Sequence, residues 1–348
     1  MSPVNQNSPL EIPKSRNILE KISLGIVNGE NLGLGTMNRL YMATELLHLK
    51  KEWDGLKLCI IEELEAHLHP QAQMKIIDAL RTDAKDIQMI LTSHSPNLAS
   101  KVPLENIILC KDSDAYPLSH SNTALSPENY QYLERFLDVT KSNLFFAKGV
   151  IIVEGWSEEI IIPVLAKLSN CDLTKMEVSL VNVGSTAFLH FAKIFVRTDG
   201  RKLNVPVSII SDLDNRPDEY GIFRNDENKS RAIESLKSSF SQTSVKAFYA
   251  EEWTLEWCLY KSPSLSTHFR ASVAKVHSGT EEFINGIFEE NKFVKKLRKD
   301  KGTAPLDKVK IATVLAGMLE ESPPTLQSDD KYIKYIIDAI KYACNANR

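Results

Sequence analysis

Short apolar runs that end in acids recur along the chain, separated by segments with the spacing of helices. Val150-Ile151-Ile152-Val153 is mostly β-branched, as expected of a strand buried on both faces, and it leads into Glu154-Gly155. Gly155 is expected in a tight turn, Ser157 as the N-cap of a short helix, and residues 160–168 as that helix's apolar face. The order returns with a strand at 178–183, a turn at Gly184-Ser185-Thr186 and a helix at 187–196. A further run, 205–211, ends in Asp212-Leu213-Asp214, and another, 245–249, precedes Thr254-Leu255-Glu256. Strands alternating with helices predict an α/β fold with a parallel sheet flanked by helices.

The flanking segments are patterned differently. Residues 1–20, with three prolines, read as a loop, followed by the largely apolar run 22–27. A glycine-rich turn at Gly33 and Gly35 opens a helix over 40–49. Strands follow at 56–61, ending in Glu62-Glu63, and at 88–92, leading into Ser93-His94-Ser95-Pro96. Residues 104–111 read as an edge strand closing that layer, 111–129 as a polar connection and 131–139 as a helix, so the domain boundary is expected near 143. The tail, 262–348, reads as helical, and its basic stretch within 289–301 offers charge for DNA phosphates, although such runs are more often solvated faces.

Composition narrows the function classes. With 348 residues, 43% of them hydrophobic and 25% charged, the chain has material for two domains and no biased tract. No apolar run approaches the ~20 residues of a membrane span, and the polar N-terminus is unlike a signal peptide. Five cysteines without paired spacing indicate neither a zinc site nor a disulfide framework, which fits a reducing cytoplasm. A net charge of −3 does not mark a nucleic-acid binder, so local basic stretches or metal ions would have to supply that attraction.

The acids at the strand ends are the candidate chemistry. Glu158 lies one helical turn beyond Glu154, and in an extended strand Asp212 and Asp214 share a side. Four converging carboxylates repel one another, and hard divalent cations such as Mg²⁺ or Mn²⁺ are the usual counter-charge. Ser185 fits a helix cap better than a contact to metal-bound water.

The strand–Glu–Gly–helix unit followed by a strand ending in Asp-x-Asp resembles the Toprim domain of topoisomerases, primases and OLD-family nucleases. The E-G-x-S-E form, Glu154 to Glu158, is most similar to the OLD and Gabija-type branch. The resemblance implies a metal site of Glu154, Glu158, Asp212, Asp214 and Glu256 holding two Mg²⁺ or Mn²⁺ ions, with Lys308 (or its neighbour Lys310) near the scissile phosphate. Cys258 stands where many relatives carry a further acid. Upstream, the chain resembles the second half of an ABC-type ATPase of the RecF, SMC and OLD kind. Gly33 and Gly35 match its signature loop, Glu62 and Glu63 its Walker B acids and His94 its switch histidine. Glu65 to Pro70, E-x-H-L-H-P, makes the match specific, whereas Glu62 replaces a common Asp and Leu64 a common Pro.

The expected organisation is therefore an ATPase half without Walker A over 1–142, a Toprim domain over 143–260 and a helical part completing it over 261–348. The expected activity is metal-dependent endonucleolytic cleavage of DNA in anti-phage defence. Partners implied by the resemblance are DNA, a second copy through the ATPase part or another defence protein. Alternatives are a primase-like nucleotidyl transferase, disfavoured by the absence of Cys-x-x-Cys, and a non-catalytic DNA-binding or interaction module. No tyrosine is placed by a topoisomerase-like motif. Because G-x-x-x-x-G-K-[ST] is missing from the sequence, ATP is expected as a ligand only if an N-terminal half is supplied. The chain is predicted not to hydrolyse ATP; a rate above background that disappears in Glu63→Gln would overturn this.

Overall fold

The computed structural model describes residues 32–50, 55–83, 86–184, 187–218, 223, 227–277, 290–302 and 304–344. The apolar run at 22–27 and Ser185 lie outside the described residues. Two compact units form, Met1–Leu98 and Ala99–Arg348.

In the first unit, α1 (Leu34–Leu49) precedes β1 (Leu58–Ile61), α2 (Pro70–Asp83), β2 (Gln88–Leu91) and α3 (Pro96–Ala99), a helix that runs onto the unit's end. β1 and β2 are parallel, with Ile60 opposite Ile90. Helix α1 starts at Leu34 with an extended Gly33 as its N-cap, so the helix expected from residue 40 begins six residues earlier and takes in Gly35. Gly35 lies where a Cβ would come within 2.4 Å of the His67 carbonyl oxygen, a backbone approach that needs glycine. The Asn38 amide donates to the Ala66 carbonyl across the same contact (3.0 Å).

The second unit begins with β3 (Ile108–Lys111) and β4 (Asp114–Pro117). They pair antiparallel through Asp112 and Ser113, both at positive φ (53° and 64°), as a two-residue turn matched to strand twist requires. The segment read as an edge strand of the first layer thus ends in one arm of a hairpin, and the first residues of the polar connection, Asp112 and Ser113, are its turn. Helix α4 (Pro127–Phe136) follows, four residues earlier than expected, because Ser126 and Asn129 form a capping box ahead of Pro127. The chain continues through β5 (Gly149–Val153), α5 (Trp156–Leu168), β6 (Val178–Asn182), α6 (Phe188–Ala192), β7 (Val207–Ser211), α7 (Glu227–Ser239) and β8 (Val245–Tyr249). Helices α8 (Leu255–Lys261), α9 (Ser266–Val276), α10 (Glu290–Arg298), α11 (Lys308–Glu321) and α12 (Lys331–Cys344) complete it.

Strands β5 to β8 form one parallel sheet in the order β6-β5-β7-β8. Every residue of β5 and β7 is buried. Alternation sends Ile151, Val153 and Ile210 into a core shared with α5, α8, α9, α11 and α12, and Val150, Ile152, Val207 and Ile209 into a second core on the opposite face. Each such side chain contributes about 1.5–3 kcal/mol of burial. Leu104, Tyr116, Leu118 and Leu133 belong to that second core, so the segment 99–142, expected with the first domain, packs against the sheet.

Helix α12 seals the first face. The Ser208 hydroxyl donates to the Ala339 carbonyl (2.7 Å) from inside the sheet. Asp330, 2% exposed, caps the helix by accepting from the Tyr332 N–H (3.2 Å), and it also receives the Ser262 hydroxyl (2.5 Å) and the Ser264 N–H (3.1 Å). Among the described residues, no helix is long and apolar enough to cross a membrane. A Cβ on Gly149 would meet the Ala343 carbonyl oxygen at 2.1 Å, so the helix rests on bare strand backbone there. Gly149→Ala is expected to destabilise the second unit by about 1–3 kcal/mol, the usual cost of overpacking, seen as a lower thermal midpoint.

Candidate active site

Glu154 leaves the carboxyl end of β5 and Asp212 follows the last residue of β7, the edge where open parallel sheets take ligands. Strand β7 ends at Ser211, so the shared-face argument for Asp212 and Asp214 does not apply. Both acids lie in the following loop, where Asp214 turns at φ 52° and its N–H donates to the Trp253 carbonyl (3.2 Å). Gly155, not Ser157, caps α5; Ser157 is buried inside the first turn. That earlier start brings Glu158 back over the turn, and a Cβ on Gly155 would stand 2.7 Å from Oε2 of Glu158.

Glu256 enters from the first turn of α8. Thr254 caps this helix by accepting the Trp257 N–H (3.4 Å), and its hydroxyl donates to Oε2 of Glu256 (3.0 Å). The next N–H, of Leu255, donates to Oδ1 of Asp212 (2.9 Å), which ties the β7 loop to the helix N-terminus. Lys308 opens α11 and its Nζ donates to Oε2 of Glu256 (2.7 Å). Of the two candidate lysines, Lys308 faces the acids, and Lys310, exposed, gives its N–H to the Asp307 cap (3.1 Å).

These groups form one electrostatic cluster. Burial, then the Glu256 charge, pushes the Glu158 carboxyl up to about 7 against the pull of Lys308. Burial, then Glu158 and Glu256, raises Asp212 well above the carboxylate range. Burial also raises Glu154, partly offset by the Ser211 hydroxyl and reinforced by Asp214. Burial alone would lower the Lys308 ammonium, but Glu256, Asp212 and Glu158 hold it above its usual value. Oε1 of Glu154 is buried without a hydrogen-bond partner, an uncompensated acceptor of the kind a hard cation satisfies. Among the described residues, no three Asp, Glu, His or Cys side chains are poised as ligands on one point. The acids are neighbours with all-oxygen chemistry, not a closed cage.

Sequence reading missed Tyr335 of α12, a buried phenol raised first by burial and then by the charges of Cys258, Asp212, Glu158 and Glu256. Its signal, a tyrosine among the apolar positions of a C-terminal helix, does not point to a distant site. Cys258 is fully buried in the core of α8 and its thiol is pushed up to about 12, chiefly by burial. The basic stretch is partly structural: in α10 Lys296 is buried beside Phe293 and Leu297, whereas Lys295, Lys299 and Lys301 are exposed.

In the first unit, Glu62, Glu63 and His94 are exposed at the ends of β1 and β2. Glu63 adopts φ 47° and its N–H donates to the Thr92 hydroxyl (3.1 Å). Oε1 of Glu65 accepts the His94 N–H (2.5 Å). The Leu64 N–H donates to the Thr92 carbonyl (3.4 Å), a bond that proline could not make.

Residues 145–214, which hold Glu154, Glu158, Asp212 and Asp214, match the family model of the Toprim domain of overcoming lysogenization defect protein-like proteins. The chain carries an OLD-like Toprim domain. Residues 7–99 match the AAA ATPase domain model. The chain is 24% identical to endonuclease GajA of Bacillus cereus (strain HuB5-5) over 74% of its own length and 40% of that protein's. It is 25% identical to the OLD nuclease of Thermus scotoductus over 55% of its length and 38% of that protein's. It thus spans about 40% of the length of these curated relatives. The C-terminal region of the Xanthomonas campestris pv. campestris OLD protein aligns with a TM-score of 0.39 at 22% identity, covering 59% of this chain and 95% of that one.

The pKa pattern of the Toprim acids has a thermodynamic consequence. Between its usual 4.5 and about 7, Glu158 binds more proton in the folded than in the unfolded chain. Metal-free stability is therefore expected to fall as pH rises through that window. Melting temperatures in EDTA across the range should show the decline, and Glu158→Gln should make it shallower, the remainder coming from the raised Asp212 and Glu154.

Proposed function

We propose that this chain is the nuclease portion of a metal-dependent DNA endonuclease. The observation that carries the reading is the gathering of carboxylates from β5, α5, the β7 loop and α8 around Lys308, with Oε1 of Glu154 buried and unpartnered. Glu154, Asp212 and Asp214 would hold Mg²⁺ or Mn²⁺, with Glu158 and Glu256 completing the set. Two such ions would activate water for in-line attack and stabilise the leaving 3′ oxygen.

The chain's own residues supply orientation and charge. Thr254 and the α8 N-terminus fix Glu256 and Asp212, so the acids are held before substrate arrives. Lys308 sits at the mouth of the cluster, with its side chain 37% exposed against 5% for Glu256, placed to offset charge gathering on the phosphoryl oxygens. Exposed Lys295, Lys299 and Lys301 would contribute to binding the DNA backbone. The similarity to endonuclease GajA and to an OLD nuclease supports a nuclease; DNA as substrate and anti-phage defence as the setting follow from the resemblance of the Glu154–Glu158 and Asp212–Asp214 motifs. The first unit, with Gly33, Gly35, Glu62, Glu63 and His94, would link cleavage to an ATPase cycle once ATP and a complementary half are present.

Supercoiled plasmid is expected to be nicked or linearised with Mg²⁺ or Mn²⁺, left intact in EDTA and left intact by Asp212→Ala. Lys308→Met is expected to cut kcat by about 10²-fold, as for loss of one charge-stabilising donor, with Mn²⁺ binding retained by calorimetry. If the plasmid stays intact and calorimetry detects no Mn²⁺ binding, the metal-site reading fails and a non-catalytic interaction module stands.

A further inference from the structure

A cavity of about 280 Å³ lies beside the acid cluster in the second unit, between the first turn of α5, the end of β6 and the loop at 138–141. The helix turn that carries Glu158 to the acids carries Trp156 and Glu159, three residues apart on one face, to this cavity. Trp156 is 64% exposed, whereas Trp253 and Trp257 are 4% and 3% exposed in the core. An indole left open at the rim of a cavity, two residues from Glu154, is a large flat apolar surface without a structural task.

The rest of the lining limits what can sit against it. The floor is apolar, from Leu180 and Val183. The lining cation, Lys141, is bonded to Asp138, which also accepts the Thr140 hydroxyl (2.6 Å). The Glu159 carboxylate receives Nδ2 of Asn182 (2.8 Å), and Oδ1 of Asn182 accepts the Gly184 N–H (2.8 Å). Lys141 offsets the Asp138 charge, whereas the Asn182 amide hydrogen-bonds Glu159 without neutralising it, so the described lining keeps a net negative charge and is poorly suited to a phosphate. The Asn182 amide is fixed in orientation and keeps one N–H and one lone pair, the donor–acceptor pair that complements the edge of a base.

Resting on the nuclease reading of the adjoining acids, we propose that this cavity takes a nucleobase of the DNA strand next to the scissile phosphate, stacked on Trp156 and edged by Asn182. The base must leave its duplex stack to enter, so the favoured substrate is a single strand or a locally unpaired one. The cavity would hold register along the strand while the acids act on the neighbouring phosphate.

The test is equilibrium binding by the full chain, in Ca²⁺ instead of Mg²⁺, of a labelled single-stranded oligonucleotide and of its abasic counterpart. Wild type is expected to prefer the intact strand by about tenfold, within the range of one base–aromatic stack. Trp156→Ala should lose that preference and still bind the abasic strand as wild type does, which reports an intact fold, while Trp156→Phe should keep most of it. Equal binding of the two strands by wild type, no binding at all, or a preference that survives Trp156→Ala overturns the proposal. Displacement of the oligonucleotide by ATP at matching concentration overturns it too, assigning the cavity to a free nucleotide. Plasmid cleavage reads the acids separately: base preference without nicking sinks the nuclease reading alone, and nicking without base preference sinks the cavity alone.

Discussion

The burial of β5 and β7 on both faces is the constraint from which the site follows. Strands enclosed by two apolar cores can carry charged side chains only where they emerge, so Glu154 and Asp212 fall at one rim of the sheet. The same enclosure strips solvent from these acids and makes their charge costly. The Lys308 ammonium, delivered by a helix remote in sequence, offsets part of that cost through Glu256. Sheet burial, raised carboxyl pKa values and the inward lysine are thus one arrangement seen at three scales.

Much of this was legible in sequence because strands buried on both faces announce themselves as unbroken apolar runs. β8 falls on residues 245–249 as expected, and β5, β6 and β7 lie within one or two residues of their runs. What stayed hidden belongs to local backbone chemistry. Ser157 is a better cap by residue type than Gly155, yet the helix starts at Trp156 because the chain must turn tightly after Glu154. Alternation stopped predicting the direction of Asp214 at Ser211, where the ladder ends and a left-handed residue follows. The Asp112-Ser113 hairpin reads as ordinary polar linker because neither residue is the glycine or asparagine that usually marks such a turn.

Contacts between distant segments were the least legible. Nothing local in the α12 sequence says that Gly149 and Ser208 press against it, nor that Tyr335 looks toward acids on other elements. The basic stretch misled in the opposite sense, since a lysine in a charged run can bury its stem and donate inward, as Lys296 does to the Ala304 carbonyl (3.4 Å). In the first unit, Gly35 reads as a signature-loop residue, while its position against His67 gives it a packing reason of its own.

The bond between Lys308 and Glu256 also sets an order of events during synthesis. Glu154, Asp212 and Glu256 leave the ribosome well before the lysine that offsets them, and α12, which seals the sheet above them, follows last. Until those closing helices dock, the sheet lacks one cover and the chain lacks the cation that offsets these acids. The C-terminal helices therefore act as a maturation step: a nascent or truncated chain that already contains every Toprim acid remains without a finished site.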